Sequence, residues 1–216
     1  MLNVVLTSKN KSIYVKTLHT LLGVDSICAQ TGLPLDITFI NEDTTTKINA
    51  LKRISKNSER LVWFDYGVSI DRGSIPDIIK KFEGNDCLVF PCAREGVDWD
   101  VFKTKCKQGS TEPASQMALT FDVDVSNKLL NKEFNYYEVT KARAPACWCM
   151  DTKKVIKKLK GSKKEFVFPK DIDTFFERCL SRNIKIAAAV NCRTFNHFTH
   201  ECVGNILNMS GLKVTR

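Results

Sequence analysis

Long apolar runs are missing from this chain. No segment of its 216 residues approaches the roughly 20 apolar residues that a membrane span requires. The opening MLNVVLTSKNK has too short an apolar stretch for a secretory signal, and polar residues follow at once. The expectation is a soluble, cytoplasmic protein with no membrane partner. No CxxC pair occurs among the nine cysteines, an odd number with no disulfide spacing. Most lie in apolar runs, as small core residues in a reducing setting do. There is no internal repeat, low-complexity segment or Pro/Gly/Ser-rich linker, so one domain is expected. Only three histidines are present.

What is present fits a globular α/β chain. Hydrophobic residues make up 43% of it, enough for one sizeable core. Thirty-three Lys and Arg against 24 Asp and Glu give a net charge of +9. A basic chain attracts polyanions, but the charges read as scattered, with the densest run from Lys153 to Lys164. No recognised nucleic-acid motif accompanies them. A nucleic-acid-binding protein or metal-dependent nuclease therefore stands only as the alternative reading.

The first part alternates strand and helix patterns. Strands are expected at Leu2–Thr7, Leu35–Ile40, Leu61–Phe64 and Cys87–Phe90. Helices are expected at Ser12–Gln30, Thr44–Lys56 and Ile75–Phe82, the first stopped by Gly32 and Pro34. Such a series implies parallel strands with helices on both faces. The second part is less regular. Glu95–Gln116 reads as loop or short helix, Met117–Val125, Ala146–Met150 and Ile184–Val190 as strands. Lys153–Leu159 and Asp171–Leu180 read as helices, and Asn196–Met209 as a final helix or a loop plus helix. The change near residue 92 divides a nucleotide-binding part, 1–92, from an acceptor part, 93–216.

In such sheets ligands bind beyond the carboxyl ends of the strands. This directs attention to Thr7-Ser8-Lys9, Asn41-Glu42-Asp43 and Asp65-Tyr66-Gly67. Asp65 ends an apolar strand, where a carboxylate can meet Mg²⁺ or Mn²⁺ shared with phosphate oxygens; a turn-forming Asp before Gly is the other reading. Asp98/Asp100 and Asp122/Asp124 read as solvated acids. Asp171 and Asp173 start a helix, where capping and a functional role are both open. His197 and His200 have the i, i+3 spacing that puts two metal-binding imidazoles on one helix face. Cys147, Cys149, Cys192 and Cys202 with these histidines are a remote zinc possibility. Lys52, Arg53 and Lys56 either approach a diphosphate or form an exposed basic face.

The order of these elements resembles the GT-A glycosyltransferases. In that family the first strand and its loop hold the nucleoside, here VVLTSKNK. A polar group after the second strand contacts base or ribose, here Asn41-Glu42-Asp43. A basic helix then leads to a strand ending in an Asp-x-Asp signature that binds Mn²⁺ and the diphosphate, here LKRISKNSERLVWFDYG. Asp65 keeps the first acid of that signature and Gly67 replaces the second. ACWCMD resembles the strand lining the sugar and acceptor pocket, Asp171/Asp173 the acid pair facing the donor sugar, and Asn196–His200 the C-terminal metal histidine of retaining members. More narrowly, the chain is similar to the small glycosyltransferases of chloroviruses. The resemblance implies a single GT-A-like α/β domain with a central, mostly parallel mixed sheet. It implies Thr7, Ser8, Lys9, Asp43, Arg53 and Asp65 at the nucleotide, and Asp65, His197 and His200 at Mn²⁺ (or Mg²⁺). Asp171 and Asp173 would be catalytic. The partners implied are a UDP-sugar donor and a glycan acceptor, on a capsid protein in the host cytoplasm.

Overall fold

The structure, a computed structural model, describes residues 1–79, 84–162 and 166–197. The elements run β1 (Leu2–Ser8), α1 (Val15–Thr31), β2 (Leu35–Asn41), α2 (Thr44–Asn57), β3 (Arg60–Phe64), β4 (Val68–Ile70) and α3 (Ile75–Ile79). Then follow β5 (Cys87–Val89), α4 (Trp99–Lys107), α5 (Ala114–Met117), β6 (Val123–Asn131), β7 (Tyr136–Ala142), β8 (Cys147–Asp151), α6 (Thr152–Lys160), α7 (Ile172–Ser181), β9 (Ile186–Ala189) and β10 (Thr194–Asn196).

Local chemistry sets the helix ends. Gly32 takes the left-handed φ of 65° that closes α1. Asp43 and Asp171 cap α2 and α7, accepting the Thr46 and Thr174 N–H groups at 2.8 and 2.7 Å.

The main sheet has the order β2-β1-β3-β8-β5-β9-β7-β6. β1 pairs parallel with β2 and β3, and β5 with β9, whereas β8 runs antiparallel between β3 and β5. The fold is therefore α/β with a mixed sheet flanked by helices. Strands from 1–92 and from 93–216 interleave in it. One face packs Leu2, Val4, Leu6, Val62 and Phe64 with Leu21 and Val24 of α1 and Ile75 and Ile78 of α3. The other packs Val5, Trp63 and Trp148 with apolar residues of α2, α6 and α7. Adjacent strand residues point to opposite faces, so Trp63 and Val62 serve different cores.

Several expectations need correction. Met117–Val125 is not one strand: Pro113, with φ of −54°, opens the short α5, and β6 begins only at Val123. The β6–β7 hairpin was not anticipated, because β6 is largely half-exposed and lacks a continuous apolar signal. Glu95–Gln116 contains α4, capped by Asp98. The expected 196–209 helix lies almost wholly outside the described residues; Thr194–Asn196 instead pairs with β4. Residues 80–82 of the expected Ile75–Phe82 helix also lie outside them.

Candidate active site

The chain runs from β1 out to β2 on one side, then crosses to β3 on the other. The carboxyl ends of β1 and β3 thus meet at a switch in strand order, where open α/β sheets bind ligands. The β1–β3 register, with Leu6 opposite Phe64, carries Thr7 alongside Asp65. Asp65 lies two residues after Trp63 and so turns to the α2 face.

There its Oδ1 is heavily engaged. It accepts from the Trp63 indole Nε1 at 3.0 Å and from the Thr7 hydroxyl at 3.5 Å, and it pairs with Lys47 Nζ at 2.8 Å. The Thr7 oxygen also accepts the Tyr66 N–H at 2.7 Å, fixing the turn after β3. Oδ2 accepts no hydrogen bond among the described residues. The Asp65 side chain keeps 18% of its surface exposed.

Three further acids join through the segment 143–146, which leads into β8. The Ala146 carbonyl accepts the Asp65 N–H at 2.8 Å. The Ala146 N–H donates to Asp122 Oδ2 at 2.8 Å, and the Cys92 N–H to Asp122 Oδ1 at 2.9 Å. Ala144, at a left-handed φ of 43°, donates its N–H to Asp173 Oδ1 at 3.1 Å. Arg143 forks onto Asp124 at 3.0 and 2.7 Å. Asp122 is therefore not a solvated acid: it is 4% exposed and pins the ends of β5 and β8 together. Burial pushes its carboxyl up to about 6, against its two N–H donors and with a smaller push from Asp65. Glu42 is exposed as a residue, but its carboxyl sits among Lys47, Asp65 and Lys9. Desolvation raises it first and Asp65 adds to this, while Lys47 opposes.

The other expected site residues fall as follows. Ser8 is buried and donates to the Ile40 carbonyl at 3.0 Å. Lys9 begins a tight turn through Asn10 and Lys11, both at positive φ, closed by its N–H on Ser12. Asp43 and Asp171 are helix caps, and their capping hydrogen bonds lower both carboxyls. Ser8, Phe39, Asn41, Thr46, Asn49 and Arg53 line a cleft of about 430 Å³ at the ends of β1 and β2. Phe39, 52% exposed, offers a ring there.

His197 lies beside β4. Its Nε2 lies 2.7 Å from the Ser69 hydroxyl and its ring stacks on Tyr14 at 4.6 Å. Its backbone N–H donates to the Gly67 carbonyl at 3.0 Å. His200 and Cys202 lie outside the described residues. Cys147, Cys149 and Cys192 are core thiols; burial raises Cys149 and Cys192 to about 12. Among the described residues no three His, Cys, Asp or Glu side chains gather as a metal site.

Sequence reasoning passed over Lys47 and set aside Asp122. Lys47 had one usable signal: it begins the inner helical stripe Lys47, Ile48, Leu51 that faces the strand ending on Asp65. Asp122 showed only as an acid flanked by apolar residues in LTFDVDV.

No family model and no curated protein matches the chain. Solved structures share its outline at low similarity. The catalytic domain of Drosophila β1,4-galactosyltransferase 7 with xylobiose aligns at 8% identity and a TM-score of 0.44, over 88% of this chain and 65% of that one. GalNAc-T7, solved with UDP, GalNAc and Mn²⁺, aligns at 12% identity and 0.46, over 90% and 43%. The inositol-1-phosphate CTP transferase from T. maritima aligns at 7% and 0.43, over 98% of both chains. The chain thus spans under two thirds of the first two. None of the three reaches a TM-score of 0.5, so fold and function rest on this chain's own geometry.

Proposed function

We propose that the chain is a GT-A type glycosyltransferase that moves a hexose from a UDP-sugar to a glycan hydroxyl. The observation that carries this reading is the Asp65 carboxylate at the β1/β3 switch point, with one oxygen open and Lys47 beside it. The open oxygen fits a Mg²⁺ or Mn²⁺ held mainly by nucleotide phosphates, which needs only one or two protein carboxylates. The described residues do not fit an ion caged by protein alone. When bound, the ion supplies charge neutralisation on the leaving diphosphate.

The chain's own residues do the rest. The cleft beside Ser8, Asn41 and Arg53 receives the nucleoside, with Phe39 against the base and Arg53 near phosphate. Lys9 adds positive charge at its edge, and Asp43 holds α2 in place. Thr7 and Trp63 fix the Asp65 rotamer. Asp173, tied to the segment 143–146, faces the transferred sugar and serves as base where inversion occurs. Asp171 positions it by capping the same helix. In the finer reading, by resemblance to the chlorovirus enzymes, the acceptor is a capsid glycan.

Thermal shift with UDP, GDP, CMP and duplex DNA, each with and without Mn²⁺, tests this. A UDP-specific, Mn²⁺-dependent rise in Tm that is lost in Asp65→Ala is expected. No nucleotide response, with stabilisation by DNA alone, would overturn the reading in favour of a nucleic-acid site.

A further inference from the structure

Part of the positive charge gathers on one face once the chain is folded. α2 carries Lys47, Lys52, Arg53 and Lys56 with no acid, and α6 carries Lys153, Lys154, Lys157, Lys158 and Lys160 with none. They are nine of the 33 basic residues of the chain. Although about 100 positions apart in sequence, the two helices pack side by side on one face of the sheet. Four of the nine are paired, with Asp65, Glu59, Asp151 and Asp86. Lys52, Arg53, Lys56, Lys157 and Lys160 are exposed and have no ion pair among the described residues. Lys52 and Lys56 stand one turn apart, as do Lys157 and Lys160.

We propose that the α2/α6 face is a docking surface for an anionic lipid bilayer. Charge complementarity points to a polyanion, and three features favour a bilayer over a nucleic acid. The unpaired cations are lysines except for one, point charges suited to many loosely placed phosphates and not to bidentate base reading. Neither helix carries an aromatic residue on which a base can stack. Two helices lying on a sheet also make a broad layer, where a duplex groove takes a protruding element. Clusters of four to eight Lys/Arg on a helical surface bind acidic lipid headgroups in this way. The apolar stripe of α6, with Val155 and Leu159, is buried in the core, so the contact is electrostatic and peripheral. This departs from the expectation of no membrane partner; lying on a bilayer requires no span. It does not rest on the proposed glycosyl transfer, with which the five exposed cations share only Arg53.

The test is co-sedimentation of the full chain with vesicles of phosphatidylcholine plus phosphatidylserine, against phosphatidylcholine alone and against duplex DNA in solution. The variant replaces Lys52, Lys56, Lys157 and Lys160 by Gln, all exposed, with Tm measured to show that it folds. Binding is expected only to the anionic vesicles, to weaken steeply with salt, and to fall at least tenfold in the variant, since each basic residue is worth roughly fivefold. Equal binding to neutral vesicles, full binding by the folded variant, or tighter binding to DNA than to the anionic vesicles would each overturn the proposal.

Discussion

Asp122 accepts two N–H groups that would otherwise be buried without partners, one after β5 and one before β8. Asp122→Ala leaves both unsatisfied and should cost about 2–6 kcal/mol of unfolding free energy in denaturant titration, at about 1–3 kcal/mol per orphaned donor. Its pH effect has the opposite sign to that of an ion-paired acid. The folded state holds the proton up to about 6, whereas the free carboxyl releases it near 3.8. Between those values the folded state binds more protons than the unfolded one, so this group's contribution to stability falls as pH rises from about 4 to 6. The full change is on the order of 3 kcal/mol. Denaturation midpoints across that range should therefore fall more steeply in the parent than in Asp122→Asn, which has no carboxyl to titrate. At Asp171 a different effect is expected: Asp171→Ala removes the α7 cap and costs about 1 kcal/mol. If Asp173 remains held to Ala144, transfer activity survives better in that variant than in Asp173→Ala.

At the scale of elements, α1 and α3 meet at Gly23. A Cβ there would lie 2.4 Å from Ile75 Cδ1, and Ile75 is only 2% exposed, with little room to withdraw. Gly23→Ala should destabilise by about 1–3 kcal/mol despite the better helix propensity of Ala. Adding Ile75→Val deletes the clashing methyl and should recover much of that loss, as a double-mutant cycle would show. The elements legible in the sequence were those with strong periodic patterns and local punctuation: α1 ending at Gly32, α2 after Asp43, β3 as LVWF. Those that escaped owe their structure to distant partners. β6 and β7 pair with each other through an irregular register. β4 is three residues long and exists by pairing with Thr194–Asn196, more than 120 positions later.

For the whole molecule, the interleaved sheet makes a clear prediction about separability. β8 lies between β3 and β5, and β9 beside β5. A fragment of residues 1–92 has neither, so β3 loses one ladder and β5 both. It should lack cooperative unfolding by circular dichroism and near-ultraviolet tertiary signal. A fragment that melts cooperatively would show a self-sufficient folding unit. The basic face belongs to this scale too, for its cations come from two helices that only the fold brings together.

The sequence by itself determined the α/β class, the early strand–helix order and the placement of Asp65 at a strand end. Each depends on periodicity and turn chemistry within a few residues. Tertiary structure alone decided the company Asp65 keeps. Lys47, Thr7, the segment 143–146 and the buried Asp122 converge on it from four parts of the chain. It also decided that His197 engages Ser69 and Tyr14, and that nine basic residues of two distant helices collect on one face. These are long-range pairings, fixed by strand order and core packing, and no local pattern encodes them.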